Sequence, residues 1–324
     1  MQLFARSALR PLSRASVARF STRYALHTTT RLKTIAEIIT DNRRQPESIG
    51  IDWSAHAASS TSSRRRFNPT DLASCLAPRP ELARSPLAYD PLRFQFDFDE
   101  GAGRTSGNPL VGTVDRLLSE EECARLIDFS TSRGYQVAKE TIGHGRNTVI
   151  DINKLSLSGR VVIESQHFAD LLWERLAPLL PPVSPSGWGA TWEPVGLNEH
   201  FRFLRYGQGD YFKLHRDGGY VREETDPRYG ECSFQTLLIY LDSPSEGGET
   251  FFSLLAGPHL DKANQVGIVS IRPGRALCFE HNLEHGSAEI REGVKHVMRT
   301  DVMYRPLPGT PLPAWLKAKR RYMT

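Results

Sequence analysis

The chain has 324 residues, enough for one large domain or two small ones, and its 39% hydrophobic content is that of an ordinary globular protein, which argues against a fibrous or wholly disordered chain. Lys and Arg number 41 against 37 Asp and Glu, but much of the resulting +4 lies near the two ends, so no nucleic-acid-binding stripe is indicated. Cys75, Cys123, Cys232 and Cys278 are scattered without a Cys-x-x-Cys pair, which argues against a zinc knuckle or a disulfide framework and fits a reducing compartment; no stretch approaches the roughly 18 apolar residues of a membrane span.

Residues 1–33 carry Arg6, Arg10, Arg14, Arg19, Arg23, Arg31 and Lys33, and the first acidic residue is Glu37. Ser and Thr are frequent, and Leu3, Phe4, Leu9, Leu12, Val17 and Phe20 are interspersed. That is the make-up of a mitochondrial presequence, and the expected location is the mitochondrion, with the matrix favoured. Residues 34–105 have weak periodicity and read as a linker or poorly ordered arm. Within them the alternation Phe94, Phe96, Phe98 suits one edge strand or a surface arm.

The folded domain is expected over 106–305, as helical support at 106–197 followed by a jelly roll at 198–305, with 306–324 a basic tail. Val111–Val114 suits a short strand. Ser119-Glu-Glu-Glu122 is a capping box, followed by a helical face of Cys123, Leu126, Ile127 and Ser130, with Gly134 as its stop. A second helix is predicted over Gln166–Leu180 from Phe168, Leu171, Leu172, Arg175, Leu176 and Leu179, ended by Pro181-Pro182. Both helices read as packing support for a sheet, and Trp173 as core. From Asn198 the period changes to two. Strands are predicted at 199–206, 211–217, 233–241, 249–253, 266–272, 276–280 and 294–304, with His285 on a further short strand or at its start. Turn signals separate most of them: Gly207-Gln-Gly209, Ser243-Pro-Ser-Glu-Gly-Gly248 and Arg272-Pro-Gly274. So many short strands without intervening helices point to a mainly β fold with flanking helices, built on a double-stranded β-helix (jelly roll).

The chemistry concentrates in Tyr206-Gly-Gln-Gly-Asp-Tyr-Phe-Lys-Leu-His215-Arg-Asp217. On a strand, residues two apart leave the same face, so His215 and Asp217 offer an imidazole and a carboxylate side by side. A second His from a distant strand completes the facial triad that leaves open positions on a non-haem iron. His285 is the candidate, and Lys295 follows ten residues later. Taken alone, His-x-Asp is a common accident; the strand-like flanks and the surrounding turns give it weight.

Residues 200–304 resemble the prolyl 4-hydroxylase-like branch of the Fe(II)- and 2-oxoglutarate-dependent dioxygenases. The matching pieces stand in the family's order: Tyr206-Gly-Gln-Gly, His215-Arg-Asp217, Thr236-Leu-Leu-Ile-Tyr-Leu241, Gly247-Gly-Glu-Thr-Phe251, Arg272-Pro-Gly-Arg-Ala-Leu-Cys-Phe279, His285-Gly and Gly293-Val-Lys295. The resemblance implies Fe(2+) held by His215, Asp217 and His285, with 2-oxoglutarate as cosubstrate, O2, and L-ascorbate in the assay. It implies Lys295 as the cation for the far carboxylate of 2-oxoglutarate. Arg299 lies on the same strand face and remains a rival anchor. Tyr206 and Thr250 match polar contacts to the cosubstrate. The implied reaction is hydroxylation of a small-molecule or protein substrate, with release of succinate and CO2. An Asp at 217, rather than a small residue, points away from halogenation.

One departure stands out. Collagen-type members carry an Arg where this chain has Ser233, which leaves prolyl substrates in doubt. The charged stretch Gly218–Glu231 reads either as a solvated loop or as a substrate lid. Trp188, Trp192 and Arg202 are candidates to line a pocket. Two other classes fit the same pattern: a cupin-type metal protein, which has no use for Lys295 and Tyr206, and a catalytically silent binding protein.

Overall fold

The computed structural model describes residues 71–77, 89–92, 110–137, 140–142, 149–151, 158–180, 192–254 and 266–309. Residues 1–33, the Phe94–Phe98 alternation, Trp188 and most of residues 306–324 lie outside the described residues.

Two antiparallel sheets face each other. The larger runs, in spatial order, through β1 (Tyr89–Pro91), β2 (Val111–Val114), β10 (Ala276–Glu280), β7 (Cys232–Tyr240), β12 (Lys295–Pro306), β5 (His200–Tyr206) and β3 (Gly159–Glu164), with β4 (Trp192–Leu197) on the far half of β12. The smaller runs β9 (Val266–Val269), β8 (Thr250–Ser253), β11 (His285–Ser287), β6 (Phe212–His215). Eight of these strands divide between the sheets as β5, β7, β10 and β12 against β6, β8, β9 and β11. That division is the double-stranded β-helix.

Period-two patterning explains which side each strand buries. On β7 both faces are covered, and all nine residues are buried. Leu237 and Ile239 point to the helices; Leu238 and Tyr240 point between the sheets. On β5, Phe201 and Phe203 join the helix-side core, while Leu204 and Tyr206 line the space between the sheets.

α1 (Glu120–Ser132) begins as its sequence predicts. Ser119 Oγ accepts from the Glu122 amide at 3.1 Å, and the Glu122 carboxylate accepts from the Ser119 amide at 2.9 Å. Gly134, at φ +77°, follows the last turn. α2 (Gln166–Leu176) ends sooner than its periodicity predicts, and Ala177–Leu179 is a 3-10 turn. The reason is Pro178, which has no amide hydrogen to continue the ladder.

The 106–197 segment is not purely helical support: β2, β3 and β4 add strands to the larger sheet. Nor is all of 34–105 a linker. Leu72, Ala73 and Cys75 are buried against the helices. Arg175, in a buried pair with Glu122 at 2.8 Å, donates to Ala77 O, and Glu122 accepts from the Ala77 amide. All four cysteines are free and buried. Among the described residues, no helix is long and apolar enough to cross a membrane.

Candidate active site

His215 and His285 are direct Cα partners across β6 and β11. Asp217 does not continue the β6 strand, which ends at His215; its amide instead donates to His281 O at 2.9 Å. The turn swings its carboxylate between the two imidazoles. His215 Nε2 lies 3.5 Å from Asp217 Oδ1, and His285 Nε2 lies 3.6 Å from Asp217 Oδ2. The three ligand atoms all lie within 4.8 Å of one another.

Both rings are oriented by the same device. His215 Nδ1 lies 2.8 Å from Lys213 O, and His285 Nδ1 lies 3.0 Å from Leu283 O. A carbonyl only accepts, so each Nδ1 carries the proton and each Nε2 presents a lone pair to the centre. Phe212 stacks on the His215 ring at 3.8 Å, and Phe279 meets His285 edge-on at 4.5 Å. Burial lowers the His285 pKa to about 4, against the raising effect of Asp217, so its imidazole is neutral near pH 7. Asp217 is held well below the usual carboxylate range: burial opposes ionisation, and Arg299 and the imidazoles outweigh it. Two imidazole nitrogens and one anionic oxygen converging on a point suit a divalent first-row metal such as Fe(II).

The second group sits at the other end of the same chamber. Lys295 is 1% exposed and opposes Tyr206 in register. Its ammonium donates to Gly248 O at 2.6 Å and Ser287 Oγ at 2.8 Å, and lies 5.3 Å from the Tyr206 ring centroid. No carboxylate pairs with it among the described residues. Burial lowers its pKa to about 7, with Glu249 and Asp242 acting against the shift. A buried cation without an anionic partner is costly, and a carboxylate ligand would complete it. Leu204, Leu238, Phe252 and Val297 pave the space between. Ser287, which accepts from Lys295, follows His285 by two on β11, so the ammonium lies within reach of a short dicarboxylate held at the metal position.

Arg299 is placed differently. Its Nη2 lies 3.0 Å from Asp217 Oδ1, at the metal end of the chamber, so the carbon chain of 2-oxoglutarate would carry the far carboxylate away from it. Thr250 Oγ1 accepts from the Tyr240 hydroxyl at 2.8 Å. Tyr240 and Ser287 were not singled out from the sequence, although their spacing allowed it. Ser287 follows His285 by two and Tyr240 follows Thr236 by four, so Ser287 shares a strand face with His285 and Tyr240 with Thr236. Thr236 is a further omission; its hydroxyl donates to Asp217 Oδ2.

Glycine supplies two close approaches. In Gly247-Gly248 both residues have positive φ, and a Cβ on Gly247 would lie 2.1 Å from Glu289 O. This turn delivers Gly248 O to Lys295. At Gly286 a Cβ would lie 2.7 Å from Phe251 Cζ and 2.8 Å from Phe212 O, so the strand carrying His285 packs there only with glycine.

Trp192 is core, fully buried and edge-on to Phe234. The Gly218–Glu231 segment is not a freely solvated loop. Arg222 is 2% exposed and pairs with Glu199 and Asp226, while Arg228 pairs with Glu199 and Asp226 and Arg305 with Glu231. Ser233 Oγ accepts from the Tyr220 amide and is 3% exposed, which ties that position to the segment's backbone.

No protein-family profile matches the chain. Among curated proteins it is similar to the human transmembrane prolyl 4-hydroxylase, 31% identical over 104 residues, covering 28% of this chain and 21% of that protein. It is also similar to a probable prolyl 4-hydroxylase 7 of Arabidopsis thaliana, 25% identical over 228 residues and covering 65% of each. The chain thus spans about a fifth of the length of the transmembrane prolyl 4-hydroxylases it matches. Among solved structures, a Trichoplax adhaerens prolyl hydroxylase in complex with a hypoxia inducible factor peptide fragment aligns with TM-score 0.39 and 14% identity, over 64% of this chain and 86% of that one. The viral collagen prolyl hydroxylase of Paramecium Bursaria Chlorella virus-1 aligns with TM-score 0.37 and 19% identity, over 60% of this chain and 96% of that one. By these sequence matches, the chain is similar to prolyl 4-hydroxylases.

Proposed function

We propose that the chain is an Fe(II)- and 2-oxoglutarate-dependent hydroxylase. The observation that carries this reading is the pairing of two features in one chamber: a His-Asp-His ligand set, and a buried ammonium lacking a carboxylate partner among the described residues. A metal protein of cupin type has a use for the first and none for the second.

His215, Asp217 and His285 hold the metal through one face, and their backbone-bound Nδ1 atoms keep the ligand atoms aimed. Lys295 binds the far carboxylate of 2-oxoglutarate, with Tyr206, Thr250, Ser287 and Tyr240 forming the polar end around it. The aromatic and aliphatic walls keep water from the space between. When bound, the iron supplies the oxidative chemistry that couples decarboxylation of 2-oxoglutarate to hydroxylation of a C–H bond. Ascorbate serves as the reductant that keeps the iron ferrous. The substrate is a different matter, because Ser233 offers no cation for a prolyl peptide.

The test is succinate formation by the purified protein with Fe(II), 2-oxoglutarate and ascorbate, with and without candidate substrates. Lys295→Met and His215→Ala serve as controls. If 2-oxoglutarate neither turns over nor binds in a metal-dependent way, the reading fails. The basic, acid-free composition of residues 1–33 supports mitochondrial targeting. A fluorescent fusion of that segment that stays in the cytosol would refute it.

A further inference from the structure

Two guanidinium groups stand side by side at the metal end of the chamber. Arg202 on β5 and Arg299 on β12 are direct cross-strand partners. Strand alternation puts Arg202 on the face of Leu204 and Tyr206, and Arg299 on the face of Lys295 and Val297, so both belong to the chamber side. Arg299 reaches Asp217, so the pair lies beside the metal position, while Lys295 is four residues further along β12, about 13 Å away.

Like charges directly opposite one another destabilise a sheet unless something compensates. The acids at hand compensate incompletely. Asp301 Oδ1 is 3.5 Å from Arg299 Nη2, a long contact, and Asp217 is the metal's own ligand. Arg202 Nη1 is buried with no hydrogen-bond partner among the described residues. A buried charged donor left unmade costs stability, and an acceptor from outside the chain would recover it. Burial first, and then the charge of Arg299, lower the Arg202 pKa, as expected for a cation waiting for an anion. Arg160 on β3 adds positive charge from the neighbouring strand. Val162, paired with Arg202 in register, is 53% exposed and gives the rim an apolar contact. Position 233 is a serine and offers no cation; the positive charge stands on β5 and β12.

We propose that Arg202 and Arg299 form a carboxylate subsite for the substrate that is hydroxylated, so that this substrate carries an acid group close to the reacting C–H bond. Two planar guanidinium forks suit a carboxylate bidentately. This inference rests on the hydroxylase reading of the same chamber. The acid could belong to a free small molecule or to an Asp or Glu side chain of a peptide.

Calorimetry with matched neutral and acidic probes tests it. The probes are N-acetyl-L-alanine against N-acetyl-L-alaninamide, and N-acetyl-Gly-Asp-Gly-amide against N-acetyl-Gly-Asn-Gly-amide. Each is titrated into the protein without oxygen, both loaded with Mn(II) and 2-oxoglutarate and unloaded. At least a tenfold preference for the acid is expected in one series, and the series that shows it identifies the source of the carboxylate. In Arg202→Gln the preference falls to twofold or less. If that variant loses its native circular-dichroism spectrum, Arg202→Lys is read instead, with a severalfold loss expected because a point charge replaces the fork. Equal affinity within each pair, or no binding of any probe, overturns the proposal. So does a preference seen only without 2-oxoglutarate, since the arginines would then serve the cosubstrate. Failure to load Mn(II) and 2-oxoglutarate sinks the hydroxylase reading instead, and the unloaded titration still decides about the arginines.

Discussion

The ammonium of Lys295 lies 5.3 Å from the centroid of the Tyr206 ring, and the two residues face each other directly across β12 and β5. Tyr240 flanks the ammonium at 5.8 Å. Two aromatic faces and two neutral acceptors shelter this charge without neutralising it. Burial, which outweighs the raising effect of Glu249 and Asp242, lowers its pKa from 10.5 to about 7. Below about pH 7, folded and unfolded chains both carry the proton, and the full cost of burying the ammonium is felt. Between about 7 and 10.5 the unfolded chain keeps a proton that the folded chain has given up, so the unloaded protein gains stability as pH rises. Lys295→Met lacks this contribution. Urea unfolding from pH 7 to 10 should give a shallower rise for the variant than for the parent, and parallel curves would contradict the burial argument.

The position of Arg299 beside Asp217 separates the two candidate anchors. Lys295→Met leaves the far carboxylate of 2-oxoglutarate buried and unpaired, a loss of about 3–5 kcal/mol, or roughly 10²- to 10⁴-fold in affinity. Arg299→Gln should change that affinity less than about tenfold. Calorimetry of 2-oxoglutarate binding to the Mn(II)-loaded variants is the check. The opposite ranking would make Arg299 the anchor.

Metal affinity should fall at least about a hundredfold in His285→Ala, because losing even a supporting contact around a ligand costs about 10- to 100-fold. His296→Ala is the matched control. That imidazole is bonded to Asp242, outside the ligand set, and its loss should leave Mn(II) binding within about twofold. Equal losses in both variants would mean that the metal is held elsewhere.

The buried Glu122–Arg175 pair ties α1, α2 and residues 71–77 together. Glu122→Ala strands a buried guanidinium and should cost about 3–5 kcal/mol in denaturant unfolding. Replacing both residues, Glu122→Leu with Arg175→Met, should recover much of that loss. Burial raises the Glu122 pKa, but Arg175 and the Ser119 and Ala77 amides outweigh it and bring it down from 4.5 to about 2. Its contribution is therefore complete above about pH 4.5 and is lost as pH falls toward 2. An acid-unfolding midpoint that Glu122→Gln leaves unmoved would refute this.

At Gly247, φ is +84° and an added methyl would lie 2.1 Å from Glu289 O. Gly247→Ala should lose more than about 1 kcal/mol of stability, and because the turn delivers Gly248 O to Lys295 it should also weaken 2-oxoglutarate binding. A variant that matches the parent in both measurements would separate the turn from the site.

Local patterns announce themselves in order along the chain. The Ser119–Glu122 box, the start of the helix at Gln166 and most of the period-two runs from Asn198 stand in the structure because each depends on neighbours a few residues away, whereas the run 211–217 stops at His215. Pro178 was a local signal passed over. The strands at Gly159–Glu164 and Trp192–Leu197 had weaker local signals and are held by pairing with β5 and β12. The core role of Leu72 and Cys75 likewise depends on the distant Glu122–Arg175 pair.

By itself the sequence determined the set of reactive groups: His215, Asp217, His285 and Lys295, at spacings that period-two strands can bring to one side. The folded chain decided their assignments. It set His285 beside His215, turned Asp217 out of its strand, put Lys295 at one end of the chamber and Arg299 at the other, and faced Arg202 with Arg299. Strand alternation fixes only the side a residue points to; its depth along the chamber and its neighbour on the next strand depend on register between segments far apart in the chain.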